Sequence, residues 1–181
     1  MKEKISKPTQ KNLFSFPAEN SHHSKFIATY RVTLIKDRQL PFESCRLNNS
    51  AQAQPLMKSL IETHGQSDRE QFTVLMLNAK NEIIGLNIVS TGDVSSATVT
   101  PRELLKPAIL TNSSALILGH NHPSGDVTPS QDDHAVTRRI VQASKIMGII
   151  VHEHLIISMF DDRYYSFADA GIIEQFNSEI V

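Results

Sequence analysis

Cysteine is almost missing: Cys45 is the only one in 181 residues. No intrachain disulfide can form, and no cysteine-rich zinc site can be built. Long apolar runs are missing too. No stretch approaches the roughly 20 residues that span a bilayer as a helix, and mean hydropathy is -0.22. The opening "MKEKISKPTQKNLFSFPAEN" carries lysines with no apolar segment behind them, so no secretion signal is expected. Neither sign of charge dominates: 18 Lys and Arg stand against 19 Asp and Glu, a net charge of -1. A dedicated nucleic-acid binder usually shows a basic domain or stripe, which this balance does not supply. Arg138, Arg139 and Lys145 form at most a small basic patch, and a solvated helix face accounts for them equally well. These absences leave a cytoplasmic protein with one compact domain as the expectation.

The chain alternates between two periodicities. Residues 1–24 are polar and aperiodic and read as a flexible tail, with the domain spanning 25–181. "FIATYRVTLI" (26–35) reads as a strand, and a helix is expected from Ala51 to His64, with Gly65 as its stop and Pro55 as a possible true start. "EQFTVLMLNAKNEIIGLNIVS" reads as a hairpin whose first arm is apolar enough to be buried on both faces. "TPRELL" predicts a helix capped by Thr100, with Glu103 closing a capping box, running to about Asn112. "ALILG" is a short buried strand leading into His120. A helix starting at Pro129, with Thr128 and Gln131 as its capping box, is expected to end at Gly148. "IIVHEHLIIS" and "RYYSF" supply further strands. The pattern predicts an α/β (α+β) domain, a mixed sheet with helices packed on it.

One segment concentrates chemistry: "HNHPSGDVTPSQDD", His120 to Asp133. Side chains two apart on a strand leave on the same face, so His120 and His122 can reach one ion while Asn121 points away. Ser130 and Asp133 are three apart and share a helix face. The stripe Asp133, Val136, Ile140, Ala143, Met147 has core spacing, which puts Asp133 at the head of the buried face. An ionised carboxylate there is costly unless a cation or several donors compensate it. Two imidazoles and a carboxylate are the donor set of many catalytic zinc sites, which keep a fourth position open. A capped loop with hydrogen-bonded histidines is the alternative. For His152-Glu153-His154 the pattern allows polar groups bonded within a strand, or support behind a metal ligand.

The spacing His120-x-His122-Pro123 followed by Ser130-x-x-Asp133 resembles the JAMM motif of the JAB/MPN superfamily. "PRELLKPAILTNSSALILGHNHPSGDVTPSQDD" with "TRRI" and "HLIIS" resembles the RadC family from about Ala51 to the C-terminus. The helix-hairpin-helix-like start of many RadC proteins has no counterpart, so the chain looks like the shorter type found on mobile elements and prophages. The resemblance implies a three-layer helix/mixed sheet/helix domain similar to cytidine deaminase. Deaminase chemistry itself needs Pro-Cys-x-x-Cys ligands that one cysteine cannot provide.

The resemblance further implies zinc held by His120, His122 and Asp133, Ser130 stabilising a tetrahedral intermediate, and Glu70 acting on the water. Where relatives usually carry Asp-His, this chain has Glu153-His154. The implied activity is a zinc metallopeptidase acting on a peptide or isopeptide-linked protein. The rival it allows is an adaptor in DNA repair with a structural metal. The tripeptide "HNH" does not indicate the nuclease of that name, whose residues are dispersed over a ββα-metal fold. A hairpin edge could pair two chains into a homodimer.

Overall fold

A strand apolar on both faces must lie inside a sheet that is covered on both sides. β1 (Gln71–Leu77) and β3 (Ala115–Asn121) are buried at every position, and both are interior strands. The computed structural model describes residues 46–92 and 99–179, with Arg31 and Ile35 besides. β2 (Ile83–Thr91), β4 (Ile150–Ile157) and β5 (Tyr164–Ser166) complete a five-stranded sheet in the order β2-β1-β3-β4-β5. β3 and β4 run parallel, while every other neighbouring pair is antiparallel. Cys45, the expected tail and, apart from Arg31 and Ile35, the expected strand over 26–35 lie outside the described residues.

Helices cover both faces. α1 (Ser50–His64) lays Ala53, Met57 and Ile61 against Leu75, Leu77, Ile117, Leu155 and Ile157. On the other face, α2 (Pro101–Leu110), α3 (Gln131–Ile146) and α4 (Ile172–Ser178) close over Val74, Met76, Leu116, Leu118 and Ile156. The expected mixed α/β architecture, helices on either side of one sheet, is present. Among the described residues no helix is long and apolar enough to cross a membrane.

The helix ends correct several expectations. α1 starts at Asn49, whose side chain accepts from Gln52 N, and runs through Pro55 rather than from it. Gly65 is its C-cap, its N–H donating to Ile61 O at 2.8 Å, and a Cβ there would meet Gln71 Oε1 at 1.9 Å and Ile61 O at 2.6 Å. Thr100 caps α2, but Glu103 closes no capping box; its carboxylate takes the Lys106 ammonium at 2.7 Å instead. α2 stops at Leu110, short of Asn112, whose φ of 54° is left-handed. α3 begins two residues late: Ser130 is its cap and Asp133 closes the box, while Thr128 N donates to Asp126 Oδ1 in the preceding turn. The buried face of α3 is also rotated from the expected stripe. Asp133, Val136 and Ile140 lie in it with Thr137, Val141 and Ser144, whereas Met147 is 50 % exposed. The residue pattern predicts no helix where α4 stands.

Glu153 lies in β4 and is buried. Its carboxylate accepts from Ser166 Oγ at 2.6 Å, Ala168 N at 3.0 Å and His154 N at 2.8 Å, so it ties β4 to the turn before α4. Burial pushes its pKa up, and the three donors only partly offset this.

Two predictions follow from these packing contacts. Ile140→Ala should cost about 2–5 kcal/mol, because the side chain is fully buried. Met147→Ala should stay within about 0.5 kcal/mol. Urea denaturation of both variants checks the rotated stripe, and an equal cost at the two sites contradicts it. For Glu153 the native state holds the proton more tightly than the unfolded chain. Its contribution is therefore full below the unfolded carboxyl pKa and is lost as pH rises through the raised native value. Gln fits the same three partners without titrating. The melting temperature of Glu153→Gln should gain on the wild type as pH rises from about 4 to 8; a constant difference across that range would exclude this linkage.

Candidate metal centre

The end of β3 and the start of α3 build the site. His120 and Asn121 are the last two residues of β3, and His122 follows directly. In the register with β1, His120 faces Phe72, and the two rings stack at 5.6 Å with a 7° tilt. Glu70 lies two residues before Phe72, near enough for its charge to act on His122. A turn then reverses the chain: Gly125 N donates to His122 O at 2.9 Å, with Gly125 at φ +74°. A side chain there would also strike the Phe160 ring, 2.5 Å from the position of a Cβ. The turn delivers the chain to Ser130, and α3 begins with Asp133 facing inward.

The three expected ligands come together. His120 Nε2 lies 3.1 Å from His122 Nε2 and 3.0 Å from Asp133 Oδ1, and His122 Nε2 lies 3.6 Å from Asp133 Oδ2. One donor atom from each falls within 4.8 Å of the other two. Tetrahedral zinc bonds of about 2.0–2.1 Å imply ligand-to-ligand edges of about 3.3 Å. The three distances lie near that value, the two to Asp133 ending on different oxygens of its carboxylate, so the donor set could hold a small divalent ion.

Proton placement agrees. His122 Nδ1 lies 2.6 Å from the carbonyl of Asp126. A carbonyl only accepts, so Nδ1 carries the hydrogen and the neutral ring offers a lone pair at Nε2. The Asp133 carboxylate raises the His122 pKa against the opposing effect of burial, and Glu70 adds to the rise through its charge. Burial alone would raise the Asp133 pKa. Its close contacts with His120, His122 and Ser130 outweigh that effect and hold the carboxyl well below its usual range. An anion kept this strongly in its charged form, facing two imidazole nitrogens, makes a binding place for a cation.

Ser130 and Glu70 are placed differently from each other. Ser130 Oγ donates to Asp133 Oδ2 at 2.6 Å and accepts from Asp133 N at 3.1 Å, so its hydroxyl is part of the helix cap. Glu70 is half-buried just before β1, its carbonyl accepting from Gly92 N at 2.9 Å.

Three residues without an assigned role in the motif also belong here. Asn121 does point away from the ligands, but its amide holds the Glu70 segment. Its Oδ1 accepts from Gln71 N at 3.1 Å and its Nδ2 donates to Arg69 O at 2.9 Å. Both peptide groups flanking Glu70 are thereby fixed. His154 is fully buried behind His120, its Nε2 2.8 Å from His120 Nδ1. Thr137 touches His154 from α3, Oγ1 to Nδ1 at 2.6 Å. Of these, only His154 carried a signal in the sequence, as half of the second His-x-His pair.

Residues 47–172 match the family model described as the RadC-like JAB domain. A UPF0758 protein of Desulfitobacterium hafniense is 49% identical over 106 residues, which cover 59% of this chain and 46% of the relative. The UPF0758 protein STH371 of Symbiobacterium thermophilum is 47% identical over 104 residues, covering 58% and 44%. The Escherichia coli UPF0758 protein YfjY is 45% identical over 106 residues, covering 59% of this chain and 65% of that protein. The chain thus spans about half the length of several curated relatives it matches. The ligand triangle at the end of β3 and the match over most of the described domain lead to one conclusion: this chain belongs to the RadC-like JAB domain family.

Proposed function

We infer that the protein is a JAMM-type hydrolase that uses a zinc ion at His120, His122 and Asp133 to cleave peptide or isopeptide bonds. The observation that carries this reading is the convergence of two imidazole nitrogens and a carboxylate at edges of 3.0–3.6 Å. A divalent ion held there would polarise a carbonyl and make water acidic enough to lose a proton near neutral pH. Three protein ligands leave room for that water.

Glu70 is the base in this scheme. It stands just before β1, near enough for its charge to act on His122, and accepts the proton of the attacking water and returns it to the leaving amine. Asn121 limits how far its backbone can wander. Ser130 donates to the developing oxyanion. To do so its hydroxyl must turn from Asp133 Oδ2, the partner it holds at 2.6 Å. Of the three Lys and Arg residues of α3 that an adaptor role on DNA would use, two are engaged within the chain and Arg139 is exposed. Arg138 pairs with Glu179 at 3.0 Å and lies over the Phe176 ring, and Lys145 donates to Asn177 O.

Metal analysis and turnover on a peptide library test the scheme. Wild type should hold about one zinc per chain, lost on substitution of His120, His122 or Asp133. Glu70→Gln should keep the metal and lose at least about 100-fold in turnover. A glutamine variant as active as wild type removes Glu70 from the mechanism. Ser130→Ala should lower kcat about 100-fold and, through the lost cap, reduce stability by about 1 kcal/mol. If stability falls but kcat holds, the serine is a helix cap and nothing more.

A further inference from the structure

The His120 ring is not free to choose which nitrogen carries its proton. Behind it runs a buried chain of hydrogen bonds that begins on α3. Thr137 Oγ1 makes a very short contact with the carbonyl of Asp133, four residues back, and lies 2.6 Å from His154 Nδ1. Two oxygens that close repel unless a hydrogen lies between them, and the carbonyl has none to give. The single hydroxyl hydrogen therefore points at Asp133 O, a bond threonine commonly makes within helices. Thr137 can then only accept from His154, so the proton of His154 sits on Nδ1.

His154 is fully buried between the rings of Phe72 and Phe167, at 5.2 and 4.8 Å. Among the described residues no carboxylate bonds to its ring, and a charged ring enclosed between two aromatic rings is costly. A neutral ring with its hydrogen on Nδ1 has a lone pair on Nε2. That lone pair, 2.8 Å from His120 Nδ1, requires the hydrogen of His120 to sit on Nδ1. His120 Nε2 is left bare, facing Asp133 and His122. The chain closes on itself: it starts from the backbone of Asp133 and ends on the ring that meets the Asp133 carboxylate.

We propose that Thr137 and His154 are positioning residues for the metal, a relay that fixes the His120 tautomer so that Nε2 presents a lone pair. Metal-bound histidines usually donate their second N–H to a carboxylate or carbonyl. Here the acceptor is a second imidazole, which can do this only while a hydroxyl outside the site dictates its own tautomer. Without the Thr137 oxygen, His154 has nothing to hold its hydrogen on Nδ1. The hydrogen can shift to His154 Nε2 and drive that of His120 onto the nitrogen that must bind the ion. The proposal rests on the zinc reading above, and its test separates the two.

Thr137→Val preserves shape and removes only the hydroxyl, while Thr137→Ser restores it. Zinc affinity, measured by competition with a chromogenic chelator on the full chain, should fall about 10–100-fold in the valine variant. It should return to within about threefold of wild type in the serine variant. Nitrogen-15 imidazole spectra of the metal-free wild type should place the His120 hydrogen on Nδ1 and that of His154 on Nδ1. This second measurement needs neither a bound metal nor a folded variant. A valine variant that binds zinc as tightly as wild type, or a wild-type spectrum with the His120 hydrogen on Nε2, overturns the relay. Spectra as expected in a chain that binds no zinc would leave the tautomer assignment standing, while the metal role and the hydrolase reading would both fall.

Discussion

The site depends on a carboxylate held at the head of a helix and turned away from water. Asp133 is 7 % exposed, and an anion so placed must find donors. It takes two from the cap, the N–H and hydroxyl of Ser130, and it faces His120 and His122 with the rest of its oxygen surface. The same side chain that starts α3 is thus the one that makes the ligand triangle. The helix N-terminus, with its unpaired N–H groups and dipole, favours negative charge at this position. Moving the start of α3 by one residue would unmake both the cap and the site.

That placement follows from the connection. β3 and β4 are parallel neighbours, so the chain must return across a face of the sheet, and α3 is the crossover. Its first turn necessarily lies near the carboxyl end of β3, where open α/β sheets tend to place their functional groups. β1, antiparallel to β3, starts at the same end, brings Phe72 against His120 and has Glu70 just before it. β4 finishes there as well and supplies His154. Three strands and one helix converge on a volume that no segment of the chain could define alone. Because these groups stand on regular elements or on segments pinned by them, they need little reorganisation to receive an ion.

Much of the architecture could be read locally. The alternation of β-branched runs with capped helices predicts the mixed sheet, and the His-x-His spacing at a strand end picks out the ligands. The errors have common causes. Both Thr128 and Ser130 are good caps with an acid or amide three residues on; the choice fell to Ser130 because Asp126 had already taken the Thr128 N–H into a turn. Glu103 had two partners within reach, and an exposed ammonium won over a backbone N–H. Met147 has the period of the core stripe but comes after the last turn of α3, beyond the edge of the sheet cover. In each case two local interactions of similar strength competed, and the surroundings decided.

Residue order alone determined that this chain forms a covered mixed sheet and that two histidines and an aspartate can meet at one strand end, because periodicity and capping act over a few residues. Tertiary structure decided what stands behind them. Thr137 enters the buried face only because α3 is rotated against the sheet, His154 reaches His120 only because β3 and β4 pair parallel, and Asn121 clamps the Glu70 segment only because β1 lies alongside β3. Contacts between residues 17 to 50 positions apart depend on strand register and helix rotation, and neither is written in any short stretch of sequence.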